Sequence, residues 1–123
     1  MNVFLDSNIL IEAIKGKTIL NIEDCIYYIN PIVYSEVLYG VLYAERKQES
    51  FEEYLEYIEA GFLGISLETA KIFVKEKVRL NRVGLPLPDN DLLVASSCLE
   101  YGMPLWTKNL KHFQRVKSLK FYT

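Results

Sequence analysis

The sequence predicts an α/β domain in which a central, mostly parallel β-sheet of about five strands is covered by helices on both faces. Short apolar segments typical of buried strands alternate with longer segments of helical periodicity along the whole chain. At 123 residues the chain has the length of one domain, so residues 1–123 are expected to share one hydrophobic core.

The first half of the chain is predicted to contain two strands and three helices. In chain order, these are a strand at 1–5, a helix at 8–15, a strand at 24–30, and helices at 31–46 and 49–60. Pro31 favours a helix start because its missing N–H costs nothing in the first turn. Gly16 and Gly61 follow two of the predicted helix ends.

The second half is predicted to contain two helices between three short strands. These are a strand at 62–66, helices at 67–81 and 89–101, and strands at 105–107 and 116–121. Ser66 can cap the first of these helices, and either Asp89 or Asn90 can cap the second.

Charge is unevenly distributed along a chain whose formal net charge is −2. Residues 45–59 contain six glutamates, whereas residues 103–123 contain five lysines or arginines and no acid. Such runs are typical of solvated helix faces, but they also allow a basic surface beside an acidic pocket. The small net charge excludes a strong overall attraction to nucleic acid or to anionic membranes.

The two cysteines, Cys25 and Cys98, lack any metal-ligand spacing and are expected to be buried, reduced thiols. Neither a signal peptide nor an apolar stretch near the roughly 18 residues of a membrane span is visible. The sequence therefore predicts a cytoplasmic protein with no membrane partner.

Three acids occupy corresponding positions at one edge of the predicted sheet. Asp6 ends the first strand, Glu36 lies early in the helix after the second strand, and Asp91 lies in the first turn of a later helix. Because strand ends and helix starts share one edge of a parallel sheet, we expect the three to face one cleft. Clustered carboxylates repel each other unless protons or a divalent cation neutralise them, and Mg²⁺ or Mn²⁺ suits such oxygen ligands.

Each acid also has a purely structural interpretation. Asp6 could cap the helix that follows it, Glu36 could lie on a solvated surface, and Asp91 could complement the helix dipole. Their joint placement favours a functional role. Gly40, one turn after Glu36, costs about 1 kcal/mol in a helix relative to alanine. Either close approach of another group or helix packing would explain it.

The residues around these acids resemble the four sequence motifs of PIN-domain nucleases. Residues 4–10 are similar to the first motif, and residues 34–37 with Gly40 are similar to the second. Residues 91–96 resemble the third motif, and residues 105–109, followed by a phenylalanine, resemble the fourth. The four motifs occur in order along the whole chain, and its length suits the VapC-type toxins of toxin–antitoxin pairs.

The resemblance implies a three-layer α/β/α fold and Mg²⁺- or Mn²⁺-dependent hydrolysis of RNA phosphodiester bonds. It also implies a homodimer and a small inhibitory antitoxin that binds DNA. It gives catalytic, metal-binding roles to Asp6, Glu36 and Asp91. It places supporting polar side chains at Ser7, Thr107 and Asn109.

Several basic side chains are then expected to contact RNA phosphates: Lys108, Lys111, Arg115, Arg79 and Arg82. His112 stands where many members of the family carry a fourth acid. It could contact a phosphate or shuttle a proton, but an exposed loop residue is the favoured interpretation. Asp89 could supply an extra ligand, although on a helix it points roughly 200° from Asp91 and is better placed as a cap.

Tyrosines at helical spacing, Tyr39 with Tyr43 and Tyr54 with Tyr57, favour a groove between the predicted helices at 31–46 and 49–60, into which an antitoxin helix could pack. Two other functions stay open. One is an inactive PIN-like module that binds RNA or a partner. The other is a Mg²⁺-binding receiver-like signalling domain, which is disfavoured because a serine rather than a second acid follows Asp6.

Overall fold

Four parallel strands form the central sheet of the computed structural model, which describes residues 1–123. In chain order they are β1 (Asn2–Leu5), β2 (Ile26–Ile29), β3 (Gly61–Phe62) and β4 (Leu105–Trp106). Their order across the sheet is β3-β2-β1-β4, so β1 has a neighbour on each side.

Six helices complete the predicted three-layer α/β/α architecture. They are α1 (Ser7–Ile14), α2 (Pro31–Tyr43), α3 (Gln48–Tyr57), α4 (Leu67–Arg82), α5 (Asp89–Tyr101) and α6 (Leu110–Phe113). None of the six is both long and apolar enough to span a membrane.

The central position of β1 follows from its uninterrupted apolar sequence. Val3, Phe4 and Leu5 have no solvent exposure, as expected for a parallel strand that is covered on both faces. In the register of the sheet, Val3 lies opposite Tyr27 of β2, and Leu5 lies opposite Trp106 of β4. The next residue after β1 is therefore delivered to the middle of the carboxyl edge of the sheet.

The predicted fifth strand at 116–121 is wrong. Only a single parallel bridge forms there, between Leu105 and Phe121. Ser118 adopts a left-handed backbone conformation with φ of 66°, which interrupts an extended strand. Val116 and Leu119 are nevertheless buried, so the segment contributes core side chains without a strand ladder.

Other elements are shorter than predicted. The third strand is limited to Gly61–Phe62, and α2 and α3 end before the predicted residues. Glu45 and Glu59, just beyond these two helices, have positive φ values of 56° and 52°, which α-helices cannot accommodate. For α5, the N-cap residue is Pro88 and no side chain caps the first turn, so the predicted caps Asp89 and Asn90 are wrong.

Candidate active site

Asp6 lies at the carboxyl end of β1 and is almost fully buried, with 4% of its surface exposed. Its Oδ1 accepts a hydrogen bond from the Ser7 backbone N–H at 2.9 Å, and its Oδ2 accepts one from the Thr107 hydroxyl at 2.7 Å. Asp6 is therefore both the cap of α1 and a buried acid at the sheet edge. Burial raises its pKa, and the two hydrogen bonds oppose that shift.

Glu36 and Asp91 complete the predicted group of acids. Burial raises the pKa of Glu36, and the negative charges of Asp6 and Asp91 raise it further, while the Ser7 side chain opposes the change. Burial and the charge of Asp6 likewise raise the pKa of Asp91. The fold thus brings all three acids into one electrostatically coupled cleft, and no lysine or arginine forms an ion pair with any of them.

The donor set of this cleft fits a hydrated divalent cation. No three histidine, cysteine, aspartate or glutamate side chains converge closely enough to hold one ion directly. Mg²⁺ commonly takes only one or two carboxylates and keeps several waters, so full convergence is not required. Oxygen donors with uncompensated negative charge match the preferences of Mg²⁺ and Mn²⁺.

Thr107 and Asn109, which follow β4, connect the acids to α6. The Thr107 hydroxyl oxygen accepts a hydrogen bond from the Asn109 backbone N–H at 2.9 Å while it donates to Asp6. The Asn109 side-chain nitrogen lies 3.0 Å from Nδ1 of His112. Asn109 therefore acts on His112 rather than directly on Asp6.

His112 lies on the short helix α6 near Asp91, and not in a loop as predicted. Its Nδ1 is 3.9 Å from Oδ2 of Asp91, and 40% of its side chain is exposed. The histidine lowers the pKa of Asp91, in opposition to burial. It stands next to the cleft at the place where the family pattern led us to expect an acid.

Asp89 points away from the other acids. Its carboxylate forms an ion pair with Lys77 of α4 at 3.0 Å, and 58% of its side chain is exposed. Because Asp89 and Asp91 are two positions apart on a helix, their side chains point in different directions and meet different neighbours.

Three of the five basic residues predicted to contact RNA form ion pairs or hydrogen bonds with other residues of the chain. Lys108 pairs with Glu12 of α1. Arg79 pairs with Glu76 at 2.6 Å and also donates to the Arg115 carbonyl at 3.0 Å. The Arg115 guanidinium in turn donates to the Pro86 carbonyl at 2.9 Å.

The other two expected RNA-contacting residues, Lys111 and Arg82, form no ion pair. Both are exposed. They are the members of the predicted set that keep their charge available to solvent.

Sequence reasoning missed a buried polar contact between α2 and α5. Asn30, the N-cap of α2, and Ser97 of α5 are 1% and 0% exposed, and the Asn30 amide donates to the Ser97 hydroxyl oxygen at 2.9 Å. An asparagine directly before Pro31 is a recognisable cap signal. Its partner, 67 residues away, carries no local signal.

Two grooves flank α2. One, of about 340 Å³, lies between α1 and α2 and includes Ile11, Val41 and Gly40 in its lining. A methyl group added at Gly40 would meet no atom within 4 Å, so packing within the chain does not require glycine there. The other groove, of about 310 Å³, lies between α2 and α3 and has glutamates on its rim.

The predicted tyrosine pairs lie partly in solvent. Tyr39 and Tyr43 are 68% and 79% exposed, and their stacked rings are 5.7 Å apart. In the second pair, Tyr57 is 70% exposed, whereas Tyr54 packs against the core.

Comparison with known proteins agrees with this architecture over nearly the whole chain. The model of the PIN domain family matches residues 3–119. Ribonuclease VapC of Rickettsia bellii is 30% identical over an alignment that covers all of this chain and 96% of that protein. Ribonuclease VapC1 of Methanocaldococcus jannaschii is 31% identical, with 98% of this chain and 86% of that protein covered.

Solved structures show the same fold. VapBC2 from Rickettsia felis, bound to a DNA fragment from the promoter, matches with a TM-score of 0.85 at 25% identity over 99% of this chain and 98% of that chain. VapBC-1 from nontypeable Haemophilus influenzae matches with a TM-score of 0.79 at 25% identity, covering 99% and 97%. Together with the cleft of three acids, these similarities show that the chain belongs to the PIN-domain family, among the VapC ribonucleases.

Proposed function

We propose that this chain is a Mg²⁺- or Mn²⁺-dependent endoribonuclease that hydrolyses RNA phosphodiester bonds, and that it is the toxin of a toxin–antitoxin pair. The observation that carries the proposal is the cleft of Asp6, Glu36 and Asp91, whose negative charges act on each other without a lysine or arginine partner. Such a cleft gains stability when a cation enters it. The ribonuclease names of the relatives support RNA as the substrate.

In the proposed mechanism, Asp6, Glu36 and Asp91 would hold a hydrated metal ion, partly through the waters that such an ion keeps. When bound, a divalent cation supplies Lewis-acid stabilisation of charge on the phosphoryl group and activates water. Thr107 fixes the orientation of the Asp6 carboxylate, because its hydroxyl donates to Oδ2 while its oxygen is held by the Asn109 backbone.

The polar residues around the acids orient one another. Ser7 acts twice, since its backbone N–H binds Asp6 and its side chain acts on Glu36. Asn109 restrains the His112 ring beside Asp91. In this position His112 could balance the charge of Asp91 or contact a phosphate, and it does not supply the carboxylate of a fourth acid.

RNA binding must overcome repulsion between the phosphate backbone and the acidic cleft. Among the predicted residues, only Lys111 and Arg82 form neither an ion pair nor a side-chain hydrogen bond within the chain, so these two are the first candidates for phosphate contacts. Lys108 can contribute to RNA binding only by competing with its pairing to Glu12. Arg79 and Arg115 act first as structural links between α4 and the C-terminal segment.

The proposed partner is a small antitoxin that binds DNA. Several matched structures are VapBC complexes, and two of these contain DNA. The apolar groove between α1 and α2 supports a docking site, because Gly40 leaves the helix backbone open to an external chain. Tyr39 and Tyr43 are exposed elsewhere on α2, since neither lines this groove. A homodimer and a cytoplasmic location stay predictions of the family resemblance and of the sequence.

The catalytic assignment is tested by Asp6→Asn and Asp91→Asn in an RNA cleavage assay with Mg²⁺ and with a chelator. We expect each variant, and chelation of the wild-type protein, to reduce cleavage by about 100-fold or more, because charge stabilisation in the transition state is lost. Asp89→Asn is the matched control, since this exposed acid lies two residues from Asp91 on the same helix. Wild-type cleavage by folded Asp6→Asn and Asp91→Asn would refute the assignment.

The alternative of an inactive PIN-like module is tested in the same assay. It predicts that the wild-type protein binds RNA but yields no cleavage at any Mg²⁺ or Mn²⁺ concentration. For the partner, we expect the product of a small adjoining reading frame to co-purify with this chain and to suppress cleavage.

A further inference from the structure

Asn30 and Ser97 connect the two helices that carry Glu36 and Asp91. The Asn30 side chain accepts hydrogen bonds from the backbone N–H groups of Ile32 and of the next residue at 3.0 and 3.1 Å, which caps α2. Its amide nitrogen donates across to the Ser97 hydroxyl at 2.9 Å. One buried side chain therefore fixes both the start of α2 and the contact of α2 with α5.

The direction of this hydrogen bond is determined by the cap. Because Oδ1 of Asn30 accepts two backbone N–H groups, its NH₂ must be the group that faces Ser97. Exchanging the two ends of the amide would place N–H donors against each other. Both side chains are buried, so water cannot replace the contact without opening the interface.

The hydrogen bond between Asn30 and Ser97 lies at the same number of residues from each of the two acids. Glu36 follows Asn30 by six residues, and Asp91 precedes Ser97 by six residues. Each interval corresponds to about 9 Å along a helix. Each acid therefore lies about two helical turns from the Asn30–Ser97 contact along its own helix.

Two interactions between α2 and α5 act in opposite senses. At one, a neutral hydrogen bond pulls the helices together. At the other, about two helical turns away, two partly buried carboxylates repel each other. Without a fixed contact near the start of α2, this repulsion would widen the cleft on the side where a cation has to bind.

We infer that Asn30 and Ser97 are a positioning pair, which holds α2 on α5 so that Glu36 and Asp91 present their oxygens at a set separation before a divalent cation binds. This inference rests on the proposed metal-dependent function. Neither residue contacts substrate or metal; both act through the helices on which the acids lie. Partners that orient ligands in this way typically change metal affinity when they are removed.

The test compares Ser97→Ala with Ser96→Ala. Ser96 is the neighbouring buried serine of α5, but its hydroxyl donates to the Leu92 carbonyl within the same helix at 2.6 Å. Both variants lose one buried hydroxyl, and only Ser97→Ala removes a link between the two helices. Mg²⁺ binding is measured by calorimetry without RNA, alongside the free energy of unfolding of each metal-free protein.

We expect Ser97→Ala to weaken Mg²⁺ binding by about 10-fold or more, with Ser96→Ala close to the wild-type affinity. Cleavage by Ser97→Ala should recover as Mg²⁺ is raised, because the acids themselves are intact. A second variant, Asn30→Ser, keeps an oxygen for the helix cap but cannot span the distance to Ser97, and it should weaken Mg²⁺ binding similarly.

The outcomes distinguish this inference from the proposed function. If Ser97→Ala and Asn30→Ser bind Mg²⁺ as tightly as Ser96→Ala, whatever their stabilities, the positioning role is wrong and the pair only stabilises the fold. If the wild-type protein neither binds Mg²⁺ or Mn²⁺ nor cleaves RNA, the proposed function fails and the positioning role fails with it.

Discussion

The acidic edge of the sheet differs from the basic surface, which consists of the lysines and arginines of α4 and of residues 103–123, in how its charges are paired. At the edge, Asp6, Glu36 and Asp91 interact with one another and with neutral donors, and no lysine or arginine pairs with them. On the basic surface, three of the ten lysines and arginines form ion pairs within the chain, namely Lys77–Asp89, Arg79–Glu76 and Lys108–Glu12.

This difference indicates which charges are available for function. A paired surface charge contributes a small amount to stability and little else. An unpaired, partly buried carboxylate costs stability in the metal-free protein, and the proposed divalent cation would offset that cost. Among the basic residues predicted to contact RNA, those without a partner inside the chain are therefore the strongest candidates.

The largest expected effect is a difference in RNA cleavage between two variants, each of which neutralises one acid, at the sheet edge or on the basic surface. Glu36→Gln should reduce RNA cleavage by about 100-fold or more, since it removes a metal-holding charge. Glu76→Gln should leave cleavage nearly unchanged and lower the free energy of unfolding by about 0.5 kcal/mol through loss of its pair with Arg79. Cleavage assays and denaturant titrations of both variants measure this contrast, and equal losses of cleavage would remove it.

The next effect concerns the hydroxyl that supports Asp6. Thr107→Val removes both the donor to Oδ2 of Asp6 and the acceptor for the Asn109 backbone N–H. We expect it to cost about 1–3 kcal/mol of stability, because buried polar groups lose their partners, and to lower cleavage. Thr107→Ser keeps the hydroxyl and is the control. If Thr107→Val cleaves as well as Thr107→Ser does, the hydroxyl does not position Asp6.

A smaller effect is expected in the pH dependence of stability without metal. In the folded protein the pKa values of Asp6, Glu36 and Asp91 are raised, so the folded state holds protons more tightly than the unfolded chain. Their contribution to stability therefore falls as pH rises from about 4 through the raised folded values.

Thermal denaturation in EDTA across this pH range measures the effect. Asp6→Asn should reduce the loss of stability toward neutral pH, and Mg²⁺ should offset it in the wild-type protein. A wild-type protein that loses no more stability than Asp6→Asn as pH rises would contradict the coupling of the acids.

The smallest expected effect is the difference in RNA binding between removing an unpaired lysine and removing one that forms an ion pair. In an Asp6→Asn background that does not cleave, Lys111→Gln should reduce the salt dependence of RNA binding by about one unit of slope, as expected for a lost phosphate contact. Lys108→Gln should change it less, because Lys108 already pairs with Glu12. Fluorescence anisotropy of a labelled RNA over a salt series measures both slopes. The reverse order would show that RNA displaces Glu12.

Much of the fold and the positions of the acids could be predicted from local sequence. Apolar runs, helix periodicity and capping residues gave every helix from α1 to α5 and the four strands of the sheet, with errors mainly at their ends. The segment at 116–121 has three apolar residues among its six, but a positive φ at Ser118 leaves it as a single bridge. Val116 and Leu119 are buried in the core although the segment forms no strand. Amino-acid composition does not distinguish such an irregular buried segment from a buried strand.

The placement of Asp6, Glu36 and Asp91 toward one edge of a parallel sheet follows from local sequence, because each is attached to a strand end or a helix start that local patterns identify. The hydrogen-bond partners around these acids depend instead on tertiary packing. Thr107 reaches Asp6 across 101 residues, and Asn30 reaches Ser97 across 67. Such contacts depend on how whole elements pack, and no local pattern specifies them, so the support and spacing of the acids became visible only in the folded chain.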